Sequence, residues 1–330
     1  MPKSTHQAIA IGSSTGGIEA LLTLASGLPA RLPAVVLVTQ HIGGYVSVLP
    51  ELMRSRGPNP ALHPRDGDEA EPGTIYIAPP DRHMLIEQGC IRLVRGPKEN
   101  HSRPAIDPMF RSVALEFGGR AIGVVLTGFL DDGTAGLKAI KQCGGTVIVQ
   151  DPVTAVEPSM PRSALANVQV DHCVPIPEMV ALFRSLIAAP AADLQPEAAE
   201  QLRREQLFMH GKHSMEILAA FAAPSPFTCP DCGGGLWEVN DKKPLRFRCH
   251  TGHAFTAQTL ANAQGAATEH ALWSSVRALQ EKEMLLRRVA VVARAQGDDS
   301  QAATCHDKAN DAKSQADQLS RFIEKEDGGA

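Results

Sequence analysis

Residues 9–17 read Ile-Ala-Ile-Gly-Ser-Ser-Thr-Gly-Gly, an apolar run that stops on glycine and serine and passes into a helical pattern over 18–24. A strand that turns directly into a helix carries its last residues to the carboxyl edge of a sheet and aims the first amides of the helix at the same point. Ser14, bracketed by Gly12 and Gly16, is placed at that turn. A hydroxyl there can act as a nucleophile beside amides that stabilise developing negative charge, and the same amides could instead cradle a phosphate.

Two further apolar runs bear on the choice. Ala34-Val35-Val36-Leu37-Val38 is followed by Thr39-Gln40-His41, and the run 121–126 is followed by Thr127-Gly128-Phe129-Leu130-Asp131-Asp132-Gly133. A serine, a histidine and a carboxylate thus each follow a strand of buried character. In an open parallel sheet such strand ends converge on one crevice. The chemistry they could share is that of a serine triad, in which His41 takes the Ser14 proton and Asp132 fixes the imidazole tautomer and stabilises its cation. The order Ser, His, Asp differs from that of α/β-hydrolases.

Strand runs over 8–11, 34–38, 121–126 and 146–149 alternate with helical patterns over 18–24, 46–56, 109–117 and 134–142, the signature of a doubly wound, mostly parallel sheet. Segments 74–78, 84–87 and 91–94 read as an antiparallel insertion at one edge. The predicted organisation is an α/β catalytic domain over 1–188, a linker with helical segments over 189–225, a compact cysteine- and glycine-rich module over 226–256, and an α-helical hairpin over 257–330. With 330 residues, more than one domain is expected. A net charge of −4 and 4% aromatic content give no support to nucleic-acid binding. No apolar run reaches the roughly 18 residues of a membrane span, and no signal pattern opens the chain, so a cytoplasmic protein without membrane insertion is expected.

The compact module carries Cys229-x2-Cys232 and, after sixteen intervening residues, Cys249-x3-His253, with His250 as a competing fourth ligand. Two paired-ligand turns at ribbon-like spacing supply the four donors a tetrahedral zinc needs. A closed set of four leaves no position for substrate, so the zinc is expected to be structural, with no cofactor for catalysis. The other cysteines are isolated, which argues against a disulfide framework.

The stretch from Ala8 to about Ile187 resembles the catalytic domain of the chemotaxis protein-glutamate methylesterases (CheB). The matching segments are Ile11-Gly-Ser-Ser-Thr-Gly-Gly17, Thr39-Gln40-His41, Ile75-Tyr-Ile-Ala-Pro-Pro-Asp-Arg-His-Met84, Arg103-Pro-x-x-Asp107, Gly123-Val-Val-Leu-Thr-Gly128 through Asp132-Gly133, and Ser159-Met-Pro-Arg162. The resemblance implies hydrolysis of γ-glutamyl methyl esters on the methylated cytoplasmic helices of chemoreceptors, often with deamidation of glutamine. It carries the triad onto Ser14, His41 and Asp132, and the oxyanion amides onto Thr15 and Phe129. Arg103 and Arg162 are candidates for orienting substrate, with structural ion pairing as the alternative.

The chain departs from the family pattern at Phe129 and Leu130, where a methionine and a glycine are usual, and at Gly43 and Gly44, where prolines are usual. Well-known members carry an N-terminal phosphoacceptor receiver domain. Here the first strand is expected almost at residue 7, which leaves no room for one, and the zinc module with the helical hairpin is expected to dock or gate instead. Two other readings stay open: a phosphate- or nucleotide-binding α/β protein, and a catalytically idle adaptor.

Overall fold

The computed structural model describes residues 6–43, 46–189, 196–212, 214–241 and 243–327. Gly44 and most of the stretch between the expected catalytic domain and residue 196 lie outside them. The elements follow in order: β1 (Gln7–Ser13), α1 (Gly17–Gly27), β2 (Ala34–Gln40), α2 (Leu49–Arg56), β3 (Ala61–Leu62), β4 (Ile75–Ile77), β5 (His83–Glu87), β6 (Cys90–Val94), α3 (Ile106–Phe117), β7 (Ala121–Val125), α4 (Thr134–Gln142), β8 (Thr146–Gln150), α5 (Ser159–Asn167), β9 (His172–Val174) and α6 (Ile176–Ala188). After them come α7 (Pro196–Met209), α8 (Met215–Ala219), β10 (Ala222–Thr228), β11 (Gly235–Val239), β12 (Arg246–Cys249), β13 (Ala254–Thr256), α9 (Ala257–Ala295) and α10 (Asp299–Asp327).

The main sheet runs β3-β4-β2-β1-β7-β8-β9, with every pairing parallel. The chain winds outward from β1 in one direction through β2 and β4, then in the other through β7, β8 and β9. The order therefore reverses at β1, the kind of switch point at whose strand carboxyl ends open α/β sheets bind their ligands.

Alternation along the strands sorts side chains onto the two faces. Ile9, Ile11, Val36 and Val38 pack with α1 and with Met179 and Phe183 of α6. Ala8, Ala10, Val35 and Leu37 pack with Met109, Phe110 and Val113 of α3 and Leu137 of α4. This is the doubly wound α/β architecture expected from the alternating pattern.

One local expectation is corrected. The run 74–78 is not part of an antiparallel insertion: β4 lies inside the parallel sheet between β3 and β2, and only β5 and β6 form the antiparallel pair. Ile75, Tyr76 and Ile77 are all buried, the mark of a strand covered on both faces.

The segment read as a linker contains α7 and α8. Leu202 of α7 enters the core beside α3, and Phe208, Met209, Leu218 and Phe221 pack with Leu85 of β5 and Val239 of β11. The cysteine-rich module is a four-stranded antiparallel sheet ordered β10-β11-β12-β13, with a small core of Leu236, Phe247, Phe255 and Leu260. It belongs to the same compact unit as the α/β sheet, Met1–Leu260. Burial of side chains the size of Phe208 and Phe221 contributes about 2 kcal/mol each, so this seam holds the ribbon firmly.

The second unit spans Ala261–Ala330. It holds most of α9 together with α10, joined at Gly297, whose φ of 81° suits glycine. Asp298 accepts from Gln301 N at 2.9 Å at the start of α10. Small side chains at Ala293, Ala302, Ala309, Ala312 and Ala316 are buried. Among the described residues no helix is long and apolar enough to cross a membrane.

Candidate active site

Ser14 and His41 leave neighbouring strands at the same level, because Ser13 pairs with Gln40 in the parallel register of β1 and β2. Gln40 reinforces the match. Its Oε1 accepts from Ser13 Oγ at 2.7 Å, and its Nε2 donates to the carbonyls of Ser14 at 2.8 Å and His41 at 3.0 Å. The turn that follows Ser14 needs two glycines: Gly16 has φ 76°, and a β-carbon on Gly17 would lie 2.2 Å from Gln40 Oε1. On the other side of β1, Ser14 N donates to Thr127 O at 3.0 Å. A β-carbon on Gly128 would stand 2.8 Å from Ser14 Cβ and 2.1 Å from Met160 Sδ, so the residues after β7 press closely on the serine.

His41 Nε2 and Asp132 Oδ2 are 2.7 Å apart. The carboxylate is buried and the imidazole half-buried. With Nε2 donating to Asp132, Nδ1 keeps the lone pair able to accept a proton. Among the described residues Ser14 Oγ makes no hydrogen bond; catalytic contacts of this kind are often long until substrate is bound. The backbone N–H groups of Thr15 and Phe129, which flank Ser14 in the α1 and β7 turns, have no protein partner among the described residues.

Asp132 is richly supported. Oδ2 also accepts from Ile106 N at 2.7 Å, and Oδ1 accepts from Asn100 Nδ2 at 3.0 Å, Gly133 N at 2.9 Å and Asp107 N at 3.2 Å. Burial pushes its pKa up, but the His41 hydrogen bond and charge, the Ile106 amide and the Asn100 amide outweigh that and hold the carboxyl below its ordinary value.

Asp107 is its opposite. Burial first, then repulsion from Asp132, raise this carboxyl well above the usual range. Asp107 accepts from Gly136 N at 2.6 Å and Asn100 Nδ2 at 3.2 Å. The two carboxyls are thus pushed in opposite directions, and the charged form is favoured on Asp132, where the imidazole meets it.

A family model described as CheB methylesterase matches residues 9–183. The chain belongs to the CheB methylesterase family. A Leptospira interrogans protein bearing the name protein-glutamate methylesterase/protein-glutamine glutaminase is 36% identical over 184 residues, which cover 54% of this chain and 93% of that protein. An Anaeromyxobacter dehalogenans protein of the same name is 37% identical over 181 residues, covering 53% of this chain and 51% of the relative. The Thermotoga maritima CheB methylesterase catalytic domain, a crystal structure, aligns at 33% identity and a TM-score of 0.54, over 56% of this chain and 100% of the other. Methylesterase chemistry of a hydrolase associated with chemotaxis is the activity of this family.

Phe129 is 54% exposed, and Leu130 adopts φ 63°, a left-handed conformation. Arg103 is engaged elsewhere: its Nε and Nη2 reach Asp81 Oδ1 at 2.8 and 2.6 Å, and its Nη1 donates to Gly96 O at 2.7 Å. Arg162 is exposed on α5, without a side-chain partner among the described residues.

Cys229, Cys232, Cys249 and His253 gather their ligand atoms within 4.8 Å of one another, a group able to hold a metal ion. His250 is not among them; its ring lies against Gly234, where a β-carbon would approach Cε1 to 2.7 Å.

The sequence reading missed what surrounds the acid. Asp107 was visible only as part of a family motif. Asn100, Thr256 and Thr259 carried no signal, because they reach the site from far along the chain.

Proposed function

We propose that this chain is a serine methylesterase that hydrolyses the γ-methyl esters of glutamate side chains on the cytoplasmic helices of chemoreceptors. The observation that carries the reading is the His41–Asp132 pair at 2.7 Å, formed at the ends of the strands on either side of the one that delivers Ser14, in a chain of this family.

In this reading Ser14 Oγ attacks the ester carbonyl while its proton passes to His41 Nδ1, and Asp132 stabilises the imidazolium. The Thr15 and Phe129 amides donate to the tetrahedral oxyanion. Collapse breaks the carbon–oxygen bond to the methoxy group, which leaves as methanol with the proton from His41. Water then attacks the acyl-enzyme, giving its proton to His41, and the glutamate carboxylate departs as Ser14 recovers a proton. Attack on a glutamine carboxamide by the same route releases ammonia, in keeping with the second half of the relatives' name. The exposed Arg162 side chain is the arginine available to meet an acidic receptor helix; Arg103 is occupied by Asp81 and acts through structure.

The Cys3His group fits zinc. Bonds of about 2.3 Å to sulfur and 2.0 Å to nitrogen at tetrahedral angles separate ligand atoms by roughly 3.5–3.8 Å. Cys232 Sγ to Cys249 Sγ is 3.7 Å, Cys229 Sγ to His253 Nδ1 3.7 Å, and Cys249 Sγ to His253 Nδ1 3.6 Å. Four protein ligands would close the shell of such an ion, which would supply fold stability to the ribbon and take no part in ester cleavage.

The deciding experiment is methanol release from methylated chemoreceptor by the full chain. Activity is expected from the wild type and a loss of at least about 1,000-fold from Ser14→Ala. Undiminished methanol release by Ser14→Ala would remove the triad, and no release by either protein would favour an adaptor.

A further inference from the structure

The loop before α3 is folded onto the ribbon residue by residue. Glu99 forms an isolated bridge with Ala254, and its carboxylate receives Arg248 of β12 at 2.8 Å and Arg111 of α3 at 2.6 Å, all three side chains fully buried. Asn100 N donates to Ala254 O at 2.8 Å, and Asn100 Oδ1 accepts from Thr256 N at 3.1 Å. His101 Nδ1 stands 3.1 Å from Asp231, and its ring meets Phe255 edge-on at 5.2 Å.

The other end of the Asn100 amide points into the candidate active site. Its Nδ2 donates to Asp132 Oδ1 and to Asp107 Oδ2. Asn100 is therefore a bridge with its acceptor on the ribbon strand β13 and its donor on the carboxylate that holds His41. Its φ of 49° lies in the left-handed region, which asparagine tolerates better than most residues.

A second strap runs alongside. Thr256 Oγ1 and Thr259 Oγ1 both donate to Asp131 Oδ1, at 2.7 and 2.9 Å, and so fix the residue next to Asp132.

We propose that Asn100 is a positioning residue for Asp132, and that the ribbon, through β13 and Thr259, keeps Asn100 and Asp131 where the triad needs them. This rests on the serine-triad reading and deepens it. The C-terminal module is thereby part of the framework of the reaction centre, even though it contributes no atom that touches substrate. The loop carrying Asp132 has no regular ladder to hold it, and besides His41 and the neighbouring Gly133 amide the donors that fix its carboxylate come from the start of α3 and from the ribbon-bound asparagine.

The test uses the full chain. Asn100→Gly accepts the left-handed backbone and removes the amide. For methanol release, kcat is expected to fall about 10- to 100-fold, the worth of a hydrogen bond to a buried charge, with KM unchanged. The acid limb of kcat/KM should move to higher pH, because a carboxylate with one donor fewer favours the charged imidazolium more strongly. A purely structural residue would leave that limb in place.

Thr256→Val/Thr259→Val keeps the side-chain shape and deletes both hydroxyls on the ribbon side. It should lower kcat by about threefold to tenfold and broaden the downfield proton resonance of the His41–Asp132 hydrogen bond. Unchanged kcat and an unmoved acid limb in folded Asn100→Gly overturn the role of Asn100; should that variant not fold, unchanged kcat and resonance in the double valine variant overturn the proposal. Ser14→Ala, run in parallel, separates the two ideas. Its inactivity beside a fully active Asn100→Gly defeats the positioning role alone, whereas its full activity defeats the triad itself.

Discussion

His83 gives the sharpest stability prediction. The ring is 0% exposed at the start of β5. Nε2 donates to Pro97 O at 2.9 Å and Nδ1 accepts from Ala105 N at 3.2 Å, so the neutral tautomer satisfies both nitrogens. A proton on Nδ1 would turn that acceptor into a second donor facing an N–H. Burial accordingly lowers the pKa from 6.5 to about 4, against the opposing pull of Glu99 and the Pro97 carbonyl.

Below pH 6.5 the unfolded chain takes up a proton that the folded chain refuses, so stability falls with pH until the folded ring also titrates near pH 4. The difference between 6.5 and about 4 amounts to about 3 kcal/mol. The perturbation is His83→Gln, which offers a donor to Pro97 O and does not titrate. The assay is urea unfolding of wild type and variant at a series of pH values from 7 to 4. Subtracting the two curves cancels the other histidines and the carboxylates. The wild type should lose about 3 kcal/mol relative to the variant over that window. A difference that stays constant with pH, or a His83 ring signal that titrates at 6.5 or above in the folded protein, would refute the reasoning.

The two buried carboxylates should respond unequally to amide substitution. Asp132→Asn is expected to cost about 10,000-fold in kcat by disturbing the His41 tautomer, while Asp107→Asn, at a carboxyl that makes no bond to His41, should cost far less; equal losses in methanol release would contradict the difference in role. Leu130→Gly relieves a left-handed leucine and should raise stability by up to about 1 kcal/mol after the entropy cost of glycine, read as a higher Tm; a lower Tm counts against it. A single zinc per chain should be found by atomic absorption, and Cys232→Ser should lower both that content and the Tm; full stability in metal-free protein would show that the Cys3His group is not a folding site.

The central strands were legible because their chemistry is local. The runs at 8–11 and 34–38 are apolar without interruption, as strands buried on both faces must be, and they pair in the register that brings Ser14 and His41 to one level. What failed was adjacency. The run 74–78 looked like the first member of an antiparallel unit because short strands follow it closely, yet β4 pairs with β2 and β3, and nothing within a five-residue run states which neighbour it will meet. β3, of two residues, and β9, of three, are too short to stand out. The Cys-x2-Cys and Cys-x3-His spacings were readable for the same reason as the strands, since a metal shell imposes its own short-range pattern.

The support of the acid was illegible for a physical reason that also explains why it exists. Ser14 and His41 emerge from adjacent ladders, and Gln40 ties their carbonyls together within the same few residues. Asp132 lies on an irregular turn beyond the end of β7, and a buried carboxylate there must recruit donors from wherever the fold can supply them. Ile106 and Asp107 offer N–H groups because α3 begins at that spot, and Asn100 offers its amide because the ribbon strand holds it in place. The last of these contacts joins residues 100 and 256, and such a pairing has no period or spacing to betray it. In the proposed triad the acid is thus the member whose donors reach back to the C-terminal module, and changes in the ribbon should register at Asp132 before they register at Ser14.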